Sequence, residues 1–307
     1  MIEGIVIKST GSRYLVRDNN NKLYSCTIKG KFRIDGHKTT NPVAVGDHVN
    51  FEIKQAENNV ITCIQERRNY IIRKSSNLSK LYHIVAANID QTLLIVTLQA
   101  PFTPPEFIDR YLITSEAYSI PAILVFNKID LYDEALTRQM NELISIYKKI
   151  GYTCIKISAK TGENIEEMKT LVKDKITLIS GNSGVGKSTL INIIDNTIQL
   201  KTGEISDYHQ SGKHTTTFAE MFTLANGGYI IDTPGIRGFG IIDFDKEELY
   251  HYFPEIFKYA DQCRYHNCIH DNEPGCAVKE AFLNGKISET RYRSYLNILL
   301  DEDSKYR

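Results

Sequence analysis

The 307-residue sequence predicts three domains in series: an N-terminal OB-type β-barrel, a central α/β domain of the P-loop class, and a mostly helical C-terminal domain built round a Cys/His cluster. Three observations predict this. Residues 1 to 70 read as short alternating runs with turns between them, residues 176 to 194 as strand, glycine loop and helix, and three of the six cysteines fall between positions 263 and 276. The boundaries drawn from these signals are 1–68, 69–240 and 241–307.

In the first domain the strand-like runs are Gly4 to Ser9, Arg13 to Arg17, Leu23 to Ile28, His48 to Ile53 and Val60 to Glu66, with turn signals at Gly30, Gly36 and Val45-Gly46-Asp47. Short strands at this spacing suit an OB-type barrel, whose open face and loops commonly bind nucleic acid. The chain has no net formal charge, yet residues 1–70 carry 11 Lys/Arg against 7 Asp/Glu, whereas residues 240–307 carry 9 against 13. Lys29, Lys31, Arg33 and Lys38 cluster in the barrel, and Arg67, Arg68, Arg73 and Lys74 cross into the next domain. Contact with a phosphate backbone is expected of them, against a merely soluble surface. Tyr14, Tyr24 and Phe32 can stack on bases, although their spacing favours core packing.

In the central domain Ile176 to Ile179 reads as a buried strand and Ser188 to Ile194 as a helix. Between them Gly181-Asn182-Ser183-Gly184-Val185-Gly186-Lys187-Ser188 matches G-x-x-x-x-G-K-S. Glycines let successive N–H groups curl round a β-phosphate, Lys187 reaches the β and γ oxygens, and the Ser188 hydroxyl binds Mg²⁺, with Thr189 beside it in the nucleotide set. This loop does not tell ATP from GTP. Asn127-Lys128-Ile129-Asp130, after the apolar run Ala122 to Phe126, does. The Asp130 carboxylate accepts hydrogen bonds from guanine N1–H and the exocyclic amine; adenine offers no such pair and would leave a buried charge unmatched. Asn127 is expected to bond the purine's other edge, Lys128 to pack along the base, and the Ala159 N–H of Ser158-Ala159-Lys160 to meet guanine O6. GTP and GDP are the expected nucleotides.

Asp232-Thr233-Pro234-Gly235, after the strand-like Gly228 to Ile231, completes the set. Asp232 is expected to hold Mg²⁺ through a water, and the Gly235 N–H to sense the γ-phosphate. Ile236 stands where Ras-type proteins place a Gln that orients the attacking water. The segment Gly212-Lys213-His214-Thr215-Thr216-Thr217 offers a Thr for Mg²⁺ and a His able to bond water; which Thr is left open. His214 reads equally well as a solvated loop residue or a contact to RNA phosphate. In an ordinary small GTPase the phosphate loop precedes the guanine-reading motif. Here it follows, so the core reads as a circularly permuted GTPase domain.

This motif order, the switch segment, the barrel and the Cys/His cluster together resemble the RsgA family (YjeQ or YloQ), circularly permuted GTPases of small ribosomal subunit maturation. The resemblance spans nearly the whole chain. It implies a catalytic set of His214, Lys187 and Thr216, with Ser188 and Thr216 as Mg²⁺ ligands. Lys213 departs from the Arg usual in the family, keeping the charge but losing bidentate phosphate recognition. Cys263, Cys268, His270 and Cys276 give C-x4-C-x-H-x5-C, the spacing of that family, and form a closed tetrahedral site for one structural Zn²⁺, with His266 spare. Disulfides are disfavoured in a cytosolic nucleotide enzyme, and Cys26, Cys63 and Cys154 read as reduced core residues. The implied partner is the small ribosomal subunit with its rRNA, which stimulates hydrolysis. The alarmone (p)ppGpp is a candidate competitor for the guanine site, and a monomer is expected.

No run approaches the roughly 18 apolar residues of a membrane span, and Met1-Ile2-Glu3-Gly4 does not open a signal peptide. A cytoplasmic protein without a membrane partner is expected. Ala277 to Leu283 and Ser288 to Leu300 read as helices, the second capped by Ser288 and packed within the molecule. The tether Ile236 to Asp245 is expected to let hydrolysis reorient the zinc module relative to the barrel. Three rival functions stand beside this one: an RNA-binding module merely gated by GTP, favoured by Ile236; a GTP-dependent chaperone; and a P-loop kinase, which the guanine-selecting residues disfavour.

Overall fold

A computed structural model describes residues 1–28, 42–54, 59–74, 82–200, 219–232 and 245–300. The first unit is a closed barrel of β1 (Ile2–Ser9), β2 (Tyr14–Asp18), β3 (Leu23–Ile28), β4 (His48–Glu52) and β5 (Asn59–Ile64), in the order β1-β2-β3-β5-β4, with β4 returning to β1. Alternation along the strands turns Val6, Tyr14, Val16, Cys26, Val49, Phe51 and Ile61 into one core. Tyr14 is thereby a core residue, and Tyr24 sets its ring 5.0 Å from Phe51. The register shift between β4 and β5 pairs Ile61 with Phe51 but Cys63 with Asn50 and so turns Cys63 outward, which corrects its reading as a core residue; Cys26 and Cys154 are buried, and every cysteine is free.

Two of the arginines expected to meet phosphate also have partners within the chain, Arg67 half-buried and Arg68 exposed. Arg67 makes a two-pronged ion pair with the buried Asp47, at 2.6 and 2.7 Å, and also bonds the Pro42 carbonyl. Arg68 pairs with Asp90 at 2.7 Å and donates to the Asn88 carbonyl. Both lie at the barrel's junction with the next domain, where an orienting ion pair competes with solvent-borne partners. Lys29, Lys31, Arg33, Lys38 and Phe32 lie outside the described residues.

A hairpin of β6 (Tyr70–Lys74) and β7 (Tyr82–Ala87) leads into the central domain. There follow β8 (Gln91–Val96), α1 (Pro105–Ala117), β9 (Ala122–Phe126), α2 (Glu134–Ile150), β10 (Thr153–Lys156), α3 (Ile165–Val172), β11 (Ile176–Gly181), α4 (Lys187–Ile194), β12 (Glu220–Thr223) and β13 (Tyr229–Asp232). The sheet order is β10-β9-β8-β11-β13-β12, parallel throughout except for β12. All of β8 is buried, as a strand covered on both faces must be. Leu94 and Val96 join α1 and α2 on one side, and Leu93 and Ile95 join α3 and α4 on the other. Barrel strand β1 extends this sheet beyond β12 through the pair Lys8 and Glu220, whose side chains lie 2.9 Å apart.

The C-terminal domain comprises a 3-10 turn at Leu249–Tyr252 and helices α5 (Pro254–Ala260), α6 (Ala277–Leu283) and α7 (Glu289–Leu300). The Ser288 hydroxyl accepts the Arg291 N–H and caps α7 as expected. Tyr292, Tyr295 and Leu299 of α7 pack with Phe253, Ile256 and Val278, and Ile113 of α1 belongs to the same cluster. Arg291 is fully buried at this seam. It donates to Asp109 of α1 at 2.8 Å and to Glu255 of α5 at 2.6 Å, lies over the Phe253 ring, and shares Asp109 with the Tyr147 hydroxyl. No helix among the described residues is long and apolar enough to cross a membrane.

Breaking a buried ion network by removing one partner costs about 3–5 kcal/mol, because the other charges stay buried. Arg291→Met is therefore expected to lower the unfolding free energy, measured by urea titration, by that much. Arg293→Ala, which removes the exposed pair with Glu289 one turn away, is expected to change it by less than about 1 kcal/mol.

Candidate functional site

The parallel strands β8, β9, β10, β11 and β13 end on one edge of the sheet, at Val96, Phe126, Lys156, Gly181 and Asp232. Ligands of open α/β sheets bind outside the carboxyl ends of the strands, where the order switches direction. β8 and β11 are neighbours whose following strands lie on opposite sides, so the switch falls between them.

The phosphate loop leaves β11 there and enters α4 at Lys187. Gly181 and Gly186 have φ of 145° and 96°; a Cβ on Gly181 would lie 2.7 Å from the Ile95 carbonyl oxygen, and one on Gly186 would lie 2.5 Å from Asn127 Nδ2. Neither position admits a side chain. Lys187 curls over the loop, its Nζ donating to the carbonyls of Gly181 and Asn182 at 2.7 and 2.8 Å. Burial draws its ammonium below the ordinary lysine range, and Asp232 opposes that shift. Asn182, Ser183, Gly184 and Val185 form the crown of the loop, with Ser183 and Gly184 exposed, and Ser188 and Thr189 occupy the first turn of α4.

Asn127, 1% exposed, ties the guanine-reading segments to this loop. Its Nδ2 donates to the Val185 carbonyl at 2.8 Å, and its Oδ1 accepts the Ala159 N–H at 3.0 Å. The Ala159 N–H, expected to meet O6, bonds Asn127 here, while the Asn127 amide uses one of its two N–H donors on the phosphate loop and keeps the other for the purine edge. Asp130 sits exposed on a 3-10 turn, Ile129–Leu131, with one carboxylate oxygen held by the Ser158 hydroxyl at 2.6 Å. Ser158, read from sequence as a nucleotide contact, is buried and orients Asp130. Lys128 takes a left-handed backbone (φ 64°) and Lys160 is exposed beside Ala159. Asp232 ends β13 beside β11, in register with Ile179. His214, Thr216, Lys213, Gly235 and Ile236 lie outside the described residues.

Sequence reading missed the loop after β8. Thr97 to Thr103 is closed on itself by Thr103 N to Thr97 O at 2.8 Å. It receives Lys128 Nζ on the Ala100 carbonyl, and Pro101 faces Gly184. These residues match no phosphate or base motif; only their place after a central strand marks them.

The Cys/His cluster is brought together on the far domain. The ligand atoms of Cys263, Cys268, His270 and Cys276 all lie within 4.8 Å of one another. Nδ1 of His270 stands 3.5 Å from Cys263 Sγ and 3.6 Å from Cys276 Sγ, and those two sulfurs are 3.9 Å apart. A tetrahedral zinc with bonds of about 2.3 Å to sulfur and 2.0 Å to nitrogen requires about 3.8 Å between sulfurs and about 3.5 Å from sulfur to nitrogen. The donor set fits zinc. His266 is exposed and apart from it. Outside the four ligands, Glu273 accepts the N–H groups of Ile269 and Asp271, and the hydroxyls of Tyr292 and Tyr295 donate to the carbonyls of His270 and Ile269. Such partners fix a ligand loop before metal arrives.

Comparison with known proteins agrees with these features. The RsgA GTPase family model matches residues 64–242 and the RsgA N-terminal domain model matches residues 3–61. A relative from Phocaeicola vulgatus, described as small ribosomal subunit biogenesis GTPase RsgA, is 55% identical across 100% of this chain and 99% of its own. A second, RsgA 2 of Bacteroides thetaiotaomicron, is 55% identical over the same shares. Among solved structures, YjeQ from Thermotoga maritima superimposes with a TM-score of 0.81 at 36% identity, covering 98% of each chain. YloQ, described as a circularly permuted GTPase, gives 0.75 at 28%, covering 100% of this chain and 97% of its own. With both family models and full-length relatives in agreement, the chain belongs to the RsgA family of circularly permuted GTPases, enzymes that hydrolyse GTP.

Proposed function

We propose that this GTPase acts in late maturation of the small ribosomal subunit, hydrolysing GTP to GDP and phosphate slowly alone and faster when the subunit orders its switch segment. The observation that carries the nucleotide half of this reading is the Asn127 clamp, which holds the guanine-reading turn against the phosphate loop. The ribosomal half comes from the names of the full-length relatives.

In this reading Asp130 accepts the guanine N1–H and amine, Lys128 lies along the base, and the N–H groups from Asn182 to Ser188 wrap the β-phosphate, with Thr189 behind them. Ser188 and Thr216 would hold Mg²⁺, with Asp232 joined to it through a water, and the ion would supply charge neutralisation for phosphoryl transfer. Lys187 counters charge on the γ-phosphoryl group as its bond to the bridging oxygen lengthens. His214 hydrogen-bonds the attacking water and orients it in line, the task that Ile236 cannot perform. Gly235 reads the γ-phosphate.

The barrel (1–68) and the zinc domain (241–307) flank the GTPase domain (69–240) and grip rRNA. With Arg67 held by Asp47, barrel contact falls to the exposed Arg13, Lys22, Lys54 and Arg68 among the described residues, together with the Lys29 to Lys38 group. On the zinc domain Arg264 lies over the exposed Tyr265 ring, a pair suited to a base and its phosphate. Cys263, Cys268, His270 and Cys276 hold one structural Zn²⁺. The protein works in the cytoplasm as a monomer, and (p)ppGpp competes for its guanine site.

Phosphate release measured with GTP and with ATP, with and without purified small subunits, tests the whole reading. Turnover is expected with GTP only, rising strongly with the subunit, and His214→Ala is expected to abolish the rise. A His214→Ala protein that still supports subunit maturation would favour the GTP-gated RNA-binding module instead. Gly186→Ala forces Asn127 off the phosphate loop and is expected to weaken GDP binding at least tenfold by titration calorimetry. Elemental analysis is expected to find one zinc per chain, lost in Cys268→Ser together with the thermal transition of the C-terminal domain.

A further inference from the structure

We propose that Gln99 and Tyr132, neither of which touches a nucleotide-binding motif in sequence, are positioning residues for guanine recognition. The inference rests on the reading of Asp130 as the guanine acceptor. A carboxylate that takes two donors at once tolerates little displacement, yet the turn that carries Asp130 has few bonds of its own. Within Asn127 to Tyr132 they are Leu131 N to Lys128 O at 3.0 Å and Tyr132 N to Ile129 O at 3.2 Å. Lys128 sits in the left-handed region, and Asp130 is exposed with the Ser158 hydroxyl on one oxygen.

Ile129 N also bonds the Ile157 carbonyl at 3.4 Å, and the further restraint comes from the loop after β8. Gln99 Nε2 donates to the carbonyl of Leu131, the residue after Asp130, at 2.5 Å. The Tyr132 hydroxyl donates to the Asn127 carbonyl at 2.9 Å and accepts the Leu98 N–H at 2.8 Å, so one phenol spans the two strand ends. Lys128 Nζ closes the third link on the Ala100 carbonyl. The loop is a firm anchor, since Thr97 Oγ1 bonds the Pro101 carbonyl and Thr97 N bonds Thr103 Oγ1 within it. Gln99 is only half-buried, so its amide does little for the core. What it fixes is the depth of Asp130.

Equilibrium affinities for GDP and IDP separate positioning from general stability. IDP lacks only the exocyclic amine, so the GDP-to-IDP affinity ratio reads the second bond to Asp130. Gln99→Ala and Tyr132→Phe are each expected to lower that ratio about threefold to tenfold, the worth of one neutral hydrogen bond, while IDP affinity stays within about twofold of the parent. Gln99→Ala, at a half-exposed position, should leave the fold intact even if Tyr132→Phe does not. Affinities that fall together with the ratio preserved, or that do not change, would overturn the proposal. Asp130→Asn in the same assay tests the premise: its ratio should collapse, and if it holds, the guanine reading fails first and takes the positioning claim with it.

Discussion

One side-chain amide holds the site together. Asn127 reaches the phosphate loop with its donor and the Ser158-Ala159-Lys160 turn with its acceptor, uniting three segments that lie some distance apart in the chain. In a permuted chain the strand carrying the phosphate loop comes after the strands carrying the base-reading turns, so backbone connectivity does not bring these pieces together. The sheet edge brings them close and the amide fixes the distance. The glycine at 186 follows from the same contact, because any side chain there would occupy the space of the amide. A buried, fully bonded amide in a site of low dielectric is strong when satisfied and costly when not.

Much of this was legible before any coordinates. The five barrel strands fall within two residues of the runs read from alternation, and α6 matches its reading residue for residue. Period-2 and period-3.6 patterns report which face is buried, and burial is what those elements are for. The metal cluster was legible because ligand chemistry restricts both residue type and spacing. Partners distant in sequence were not. Arg67 read as surface charge because Asp47, 20 residues away, carries no mark of pairing. The clamp made by Asn127 went unread for the same reason: a motif names its residues and leaves open which atoms they face. Cys63 failed because the register shift between β4 and β5 breaks the alternation that would have set it beside Ile61.

The domains are joined less by linkers than by shared structure. Strand β1 belongs at once to the barrel and to the edge of the central sheet, through the Lys8 and Glu220 pair. Glu220 in turn opposes Asp232 across β12 and β13. The barrel therefore adjoins the magnesium side of the proposed site by strand pairing. On the opposite flank Arg291 bridges α7, α5 and α1. To the expected tether of the zinc module through Ile236 to Asp245 this adds a second, buried attachment, and any reorientation must break it or carry α1 along.

Helix α1 bears the consequence. Ile108, Tyr111 and Leu112 face the sheet, whereas Asp109 and Ile113 face the C-terminal domain. Buried on two sides, the helix is left only a narrow polar strip, the Glu106 and Arg110 pair and the exposed Glu116. A fragment ended before residue 245 would retain every nucleotide motif but bare Ile113 and Asp109 to water, and such a truncated enzyme should be prone to self-association. The catalytic unit is therefore larger than the stretch of sequence that carries its chemistry.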